Sequence, residues 1–167
     1  MDFIPVIERL AREKTCIVGM GNNLRRDDAV GLYIVDRIRE LGSGSVTVVN
    51  VEDVLENYII SIAESDCENV VIIDAVKCGA EPGSVIFGRL NEFDEIIGNY
   101  STHKLSLFLS GKVLEKYNKK AWLLGIKVQD TDFGIGLSDD VRKGADIIRD
   151  LLLTYINRDQ KELVYEH

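Results

Sequence analysis

The residues Val70–Val76, VVIIDAV, constrain the fold of this chain more than any other stretch. Four consecutive apolar residues precede a single carboxylate, Asp74, and no polar residue alternates with them. A strand of this composition is typical of the centre of a sheet that is covered on both faces. An ionised carboxylate there is costly unless it reaches a solvated edge or a partner. The run therefore predicts a buried central strand in which Asp74 either accepts loop N–H groups or serves as a ligand.

Apolar runs alternate with helix-like repeats along the rest of the chain. Strands are also predicted over 15–20, 46–51, 84–90 and 121–127, and helices over 3–13, 29–41, 54–65, from 104 to about 117–120, and 139–156. The short connection between the third and fourth strands predicts a hairpin between them, so the sheet is expected to be mixed. We therefore predict an α/β fold, a three-layer α/β/α sandwich around a twisted, mostly parallel mixed sheet of about five strands. A single domain is expected over 1–157, followed by a loose charged tail over 158–167.

The composition narrows the classes of function. The net charge of −8 argues against a nucleic-acid partner, because binding to phosphates needs clustered cations. No apolar run is long enough to span a bilayer, and the charged N-terminal residues do not match a secretory signal. Three cysteines without C-x-x-C spacing are typical of small buried groups in a reducing cytosol. We expect a cytoplasmic monomer that binds neither nucleic acid nor a membrane.

A second stretch, TCIVGMGNNLRRDDAVG from Thr15 to Gly31, places two adjacent carboxylates between a strand and a helix. In open α/β sheets, ligands bind in the loops beyond the carboxyl ends of the strands. Either Asp27 or Asp28 could instead cap the helix, since a carboxylate accepts the N–H groups at its start, but one cap explains only one of the two acids. The glycines could belong to a dinucleotide-binding turn whose two arginines meet a phosphate, but the G-x-G-x-x-G pattern fails at Leu24.

Other polar residues also stand at the ends of predicted elements. Glu52 and Asp53 follow the second strand, and Asp53 is predicted to cap the next helix, whereas Glu52 has no such structural explanation. His103 is the only internal histidine and begins a helix for which Ser101 or Thr102 is the predicted N-cap. A single exposed histidine usually has no special role, so its neighbours in the fold decide its interpretation.

The predicted topology brings three of these side chains to one edge of the sheet. Asp28 follows the first strand, Asp74 lies at the end of the third, and His103 begins a helix that covers the sheet. Two carboxylates and an imidazole form a ligand set suited to nickel, zinc, iron or manganese, and three ligands leave coordination positions open for a reaction. Helix capping or loop hydrogen bonds could also explain each residue separately. The spacing alone therefore does not choose between a metal site and three structural roles.

Four motifs, taken together, carry a resemblance to a known family. They are VGMGNNLRRDDAVG, the strand VVIIDAV, STHKLSL at a helix start, and GIGL before the last helix. With these motifs the chain resembles the hydrogenase maturation endopeptidases, the family that includes HycI and HybD, from roughly Lys14 to Leu153. The chain departs from the family in two places: Asn50–Asp53 stands where D-G-G or D-C-G is usual, and Ala29 replaces a glycine. The three ligand positions are intact, so these departures bear on the choice of substrate more than on the chemistry.

The resemblance implies an α/β/α endopeptidase that removes the C-terminal extension of a [NiFe]-hydrogenase large-subunit precursor after nickel insertion. It implies that Asp28, Asp74 and His103 are both the catalytic and the metal-contacting residues, that Asp27 is structural, and that nickel arrives with the precursor rather than as a resident cofactor. Either the metal polarises the carbonyl or activates water, or a carboxylate, Asp28 or Asp74, acts as general base. A nickel-dependent checkpoint or docking protein without proteolysis is a second hypothesis, and a nucleotide-binding α/β module is a third.

Overall fold

The computed structural model describes residues 3–42, 46–93 and 103–165. Its helices and strands, in chain order, are α1 (Phe3–Arg12), β1 (Thr15–Met20), α2 (Val30–Leu41), β2 (Val46–Glu52), α3 (Ile59–Glu64), β3 (Asn69–Val76), β4 (Val85–Arg89), α4 (Lys104–Lys116), β5 (Lys120–Lys127) and α5 (Asp139–Tyr165). Short 3-10 turns cover Arg26–Ala29, Leu55–Asn57 and Leu90–Phe93. Strands and helices alternate, as the apolar periodicity predicts for an α/β fold.

The five strands form one sheet in the order β2-β1-β3-β5-β4. The pairs β1–β2, β1–β3 and β3–β5 are parallel, and β4 runs antiparallel to β5. Strand β3 lies between β1 and β5, and every one of its residues is buried. This burial explains its unbroken apolar run, because a central strand covered on both faces has no solvent side for polar residues. The predicted mixed, mostly parallel sheet is confirmed.

The predicted hairpin between the third and fourth strands is wrong. Strand β4 pairs with β5 instead, with Val85 opposite Ile126 and Arg89 opposite Trp122, and β3 has β1 and β5 as its neighbours. Four of the five residues of β4 are only half-buried, as suits a strand at the edge of the sheet. A short connection permits a hairpin but does not require one, because the chain can also cross to the far side of a later strand.

Helices cover both faces of the sheet, so the three-layer prediction is also confirmed. On one face, α1, α2 and α5 pack against the sheet around Ile34, Ile73 and Ala145. On the other face, α3 and α4 pack around Ile62, Ile72 and Leu107. Each face thus has its own apolar cluster, and adjacent residues of β3 point into opposite clusters as the period of two requires.

Two helix predictions need correction. The last helix continues to Tyr165 rather than ending at 156, because the segment that follows is rich in helix formers and contains neither Gly nor Pro. The helix predicted over 54–65 is instead a 3-10 turn followed by the shorter α3, and neither has a side-chain cap, so the predicted capping role of Asp53 is wrong. The domain boundaries at 1–157 and 158–167 stay a prediction.

None of the helices in the described parts of the chain is both long and apolar enough to cross a membrane. The predicted N-caps Ser101 and Thr102 lie outside the described residues.

Candidate active site

Strand β3 and the start of α4 bring Asp74 and His103 into contact. The Asp74 carboxylate is fully buried, and its Oδ1 accepts a hydrogen bond from the N–H of Ala75 at 2.8 Å. Its Oδ2 lies 3.1 Å from Nδ1 of His103, whose side chain is 13% exposed. The buried acid predicted from the apolar run therefore has both a backbone donor and an imidazole as partners, which offsets the cost of burying its charge.

Asp28 is a buried carboxylate close to this pair. It lies in the 3-10 turn Arg26–Ala29 and is 5% exposed. Burial is the largest cause that raises the pKa of Asp28, and the charge of Asp74 raises it further. His103, Arg25 and the Asn22 N–H act in the opposite direction. The loop after β1 thus presents a carboxylate within electrostatic reach of both Asp74 and His103.

The pKa of the His103 imidazole is also shifted by the neighbouring carboxylates and by burial. The hydrogen bond to Asp74 is the largest cause that raises the pKa of His103, and burial opposes it. The charges of Asp74, Asp28 and Asp53 raise it as well. His103 is therefore surrounded by carboxylates from three separate loops or strands, and a positive charge at this place is favoured electrostatically.

Asp27 holds a loop rather than capping a helix. Its Oδ2 accepts hydrogen bonds from the N–H groups of Gln129 and Asp130 at 3.1 and 2.9 Å and from the hydroxyl of Ser138 at 2.7 Å. Its Oδ1 accepts the Ser138 N–H at 2.6 Å. Neither the turn at Arg26 nor α2 has a side-chain cap, so the capping alternative is wrong for both acids of the pair. Asp27 fastens the loop 129–138 to the loop that carries Asp28.

Two glycines allow the close packing that places Asp28 beside β3. Gly31, in the first turn of α2, lies so near the sheet that a Cβ there would overlap the backbone oxygens of Met20 and Ile73. Gly21 has a φ of 151°, and a Cβ there would overlap the carbonyl oxygen of Asp28. The helix start can therefore approach the ends of β1 and β3, which brings the two carboxylates together.

The attachment of the loop 129–138 to the site is what the sequence interpretation missed, although the GIGL motif lies within this loop. Arg26 pairs with Asp130 at 2.6 Å, and Arg25 Nε donates to the carbonyl of Thr131 at 3.2 Å. The two arginines considered for phosphate binding are thus engaged with this loop. Its richness in Gly and Asp was the available signal, since such segments form tight, hydrogen-bonded turns.

Glu52 adopts a backbone conformation that is uncommon for its residue type. Its φ is 52°, in the left-handed region, and it sits where the register of β1 and β2 shifts. Its carbonyl accepts the N–H of Gly21 at 2.9 Å, and its own N–H donates to the side chain of Asn50 at 3.0 Å. These bonds hold the bend beside the acidic loop, while the Glu52 side chain remains exposed.

The chemistry of the three predicted site residues suits a divalent cation. Carboxylate oxygen and imidazole nitrogen are ligands for borderline metals such as nickel. Across residues 3–42, 46–93 and 103–165, no three His, Cys, Asp or Glu side chains already stand in an arrangement that holds a metal ion. Metal contact by Asp28, Asp74 and His103 therefore stays a prediction, although the fold brings all three to one place.

A cysteine nucleophile does not fit β1. Cys16 is buried, and burial together with the nearby Cys67 raises the pKa of its thiol to about 12. The thiol is protonated at neutral pH, and a thiol rather than a thiolate is a poor nucleophile.

Sequence comparisons connect this site to a family. The family model described as HycI, hydrogenase maturation protease, matches residues 32–154. Two curated proteins of Methanocaldococcus jannaschii, both named provisionally as hydrogenase maturation proteases, align over 157 residues. One is 29% identical and covers 86% of this chain and 89% of its own length. The other is 24% identical and covers 89% of this chain and 100% of its own length.

Solved structures match along nearly the same length. The [NiFe] hydrogenase maturation protease HycI from Thermococcus kodakarensis aligns with a TM-score of 0.78 and 26% identity, over 91% of this chain and 99% of its own. The hydrogenase maturating endopeptidase HYBD from E. coli aligns with a TM-score of 0.73 and 20% identity, over 87% of this chain and 93% of its own. At that identity, the second likeness shows a common fold.

Proposed function

The chain belongs to the hydrogenase maturation protease family, and on this premise we propose that Asp28, Asp74 and His103 form its catalytic site. It is an endopeptidase that processes the large subunit of a [NiFe]-hydrogenase. The substrate that we propose for the site is the large-subunit precursor, whose C-terminal extension is removed after nickel insertion. The observation that carries this proposal is the 3.1 Å contact between His103 Nδ1 and Asp74 Oδ2, next to the buried Asp28.

Asp28 is the residue that we assign as general base. Burial and the charge of Asp74 raise its pKa, so the carboxylate takes up a proton more readily than an exposed aspartate. In the proposed reaction it accepts a proton from a water molecule as the water oxygen attacks the scissile carbonyl carbon. The proton then passes to the amide nitrogen as the carbon–nitrogen bond breaks, which releases the extension as a free amine.

His103 and Asp74 are proposed to recognise the metal that the precursor carries. A carboxylate that bonds one imidazole nitrogen fixes the orientation of the ring and makes the other nitrogen a better ligand. With Nδ1 directed at Asp74, Nε2 is the nitrogen that we assign to the nickel. The family is nickel-dependent, and nickel here is part of the substrate, so its contact with the site makes cleavage conditional on correct loading.

The proposed function is tested by incubating the protein with nickel-loaded and nickel-free precursor and measuring intact masses. We expect the wild type to shorten only the loaded precursor. Asp28→Asn should lower the cleavage rate at least about 100-fold, the scale of losing an acid–base group. Asp74→Asn should lower it about 10- to 100-fold, the scale of losing a carboxylate that orients a metal-binding imidazole. Asp66→Asn is the matched control, because Asp66 is 87% exposed and pairs only with Lys14 among the described ion pairs.

The same experiment separates the competing hypotheses. Binding of the loaded precursor without a change in mass indicates a checkpoint protein, and a nucleotide bound to the purified protein indicates a nucleotide-binding module. Equal cleavage of loaded and nickel-free precursor contradicts the proposed role of nickel, and normal cleavage by Asp74→Asn contradicts the assignment of Asp74. Monomeric state and cytoplasmic location remain predictions, and light scattering of the purified protein checks the first.

A further inference from the structure

Three exposed apolar side chains lie on the loop that carries Asp28 and on the loop 129–138 bonded to it. Leu24 is 52% exposed, and Phe133 and Ile135 are 80% and 85% exposed. Phe133 and Ile135 are the most exposed large apolar residues in the parts of the chain that the structure describes. We call these three residues the apolar tip. Contiguous exposed apolar surface on a soluble protein commonly marks an interaction site.

Backbone hydrogen bonds hold the apolar tip in place. The N–H of Gly134 donates to the carbonyl of Leu24 at 2.8 Å, and the N–H of Arg26 donates to the carbonyl of Gly134 at 3.0 Å. Gly134 has a φ of 156°. An isolated parallel β-bridge pairs it with Arg25. The two loops therefore form one unit that presents Phe133 and Ile135 on either side of Gly134. A surface ordered before binding loses less conformational entropy when a partner covers it.

The apolar tip adjoins the loop that carries Asp28. Leu24 belongs to the same short loop as Asp28 and lines a cavity of about 700 Å³ together with Ala29 and Ile135. Leu24 also lines a second cavity, of about 290 Å³, together with Gly21 and Glu52. The apolar tip is therefore built on the same hydrogen-bonded loops that carry Asp28, at which the scissile bond of a protein substrate would arrive.

We propose that the apolar tip is a docking surface for an apolar segment of the hydrogenase large-subunit precursor. This inference rests on the proposed function, since it takes the precursor as the protein that meets the catalytic loop. The tip contributes to binding and not to chemistry, because none of its side chains carries a titratable group. Its contacts form equally with the bound precursor before and during cleavage, so they lower KM without changing kcat.

Kinetics with Ile135→Ala and Phe133→Ala test the proposal. We expect each to raise KM for the nickel-loaded precursor about tenfold, or about 1.4 kcal/mol, and to leave kcat within about twofold. Ile147→Ala is the matched control, because Ile147 is 68% exposed but lies on α5, outside the two loops that form the apolar tip. Thermal unfolding of the three variants should agree with the wild type, since the altered side chains face solvent.

A binding measurement completes the test. In the non-cleaving Asp28→Asn background, Ile135→Ala should weaken calorimetric binding of the loaded precursor, and Ile147→Ala should not. Unchanged KM and unchanged binding in the tip variants overturn the docking proposal while leaving the peptidase assignment intact. Failure of the wild type to cleave overturns the peptidase assignment itself. A wild-type dimer that Ile135→Ala dissociates, with KM unchanged, assigns the tip to a second copy of this chain and also overturns the proposal.

Discussion

Asp28 is held in a state that costs the folded protein stability. Its carboxylate is buried, it lies near the charge of Asp74, and both effects raise its pKa. Proteins commonly retain such unfavourable groups where a reaction needs them. The proposed base is thus activated by the same burial and repulsion that oppose folding.

Asp28→Asn, which should lower the cleavage rate at least about 100-fold, should therefore raise the free energy of unfolding at pH 7 by about 1 kcal/mol, an ordinary size for a point mutation. The folded-state pKa of Asp28 is above its unfolded value, so the wild type loses stability as pH rises through that interval. The advantage of the variant should be full at neutral pH and disappear below about pH 4, near the unfolded pKa. Urea unfolding of both proteins from pH 7 to pH 4 measures this difference in the free energy of unfolding.

The control for this measurement is Asp66→Asn, which should leave stability nearly unchanged because Asp66 is exposed. A variant Asp28→Asn that is less stable than the wild type at pH 7 would contradict the account of Asp28 as a group strained by burial.

At the scale of elements, the site depends on loops that are distant in sequence. The loop after β1 and the loop before α5 are joined by the four hydrogen bonds of the Asp27 carboxylate. The first loop carries Asp28, and the second carries Phe133 and Ile135. One buried side chain therefore fixes both the proposed base and the proposed docking surface.

Asp27→Asn should lower the free energy of unfolding by roughly 2 kcal/mol. The NH₂ group of the new asparagine cannot accept the backbone N–H bonds that the Asp27 carboxylate accepts, so buried donors lose their partners. The substitution should also speed amide exchange in the loop 129–138 and raise KM for the precursor. Hydrogen exchange read by mass spectrometry measures the first effect. Asp139→Asn is the control, since Asp139 forms only a surface pair with Arg142 among the described contacts. Unchanged exchange in the loop would contradict the role assigned to Asp27.

The sequence predicts single elements better than it predicts their partners. Strand β3 is evident from its apolar run, and α2 from its helical repeat, because both signals are local. The pairing of β4 with β5 is not local, because it joins residues that are far apart in the sequence, such as Val85 and Ile126. Helix α5 is longer than predicted because its last turns are charged, and charge alone does not end a helix.

The same limit applies within the site. Asp28, Asp74 and His103 could be proposed together because each stands at the end of a predicted element and the family pattern names all three. The contacts of Asp27 with Gln129 and Ser138 could not be proposed, because the sequence contains no pattern that links these positions. A structural carboxylate that accepts backbone N–H groups is hard to recognise in a sequence, since every loop supplies such donors whatever its residues are.

Across the whole molecule, stability should be greatest where the two apolar clusters meet. Strand β3 contributes Ile73 to one cluster and Ile72 to the other, and it pairs with strands on both sides. Asp74 is therefore placed on the best-supported element of the fold, whereas Asp28 lies on a loop that packs near the end of this strand. A site built in this way has one carboxylate supported by a central strand and the other by the hydrogen bonds that hold its loop.

Amide hydrogen exchange should reveal this ranking directly. The amides of β3 should exchange only through global unfolding, with protection equal to the full free energy of unfolding, about 5–15 kcal/mol for a domain. The amides of β4 should exchange faster, because that strand pairs on one side and is half-buried.

Ile72→Ala should lower the free energy of unfolding by about 2–5 kcal/mol, because it leaves a cavity. The protection of the β3 amides should fall by the full measured loss. Protection of β4 equal to that of β3, or an Ile72→Ala effect confined to its neighbours, would contradict the view that β3 anchors the molecule and holds Asp74 in place.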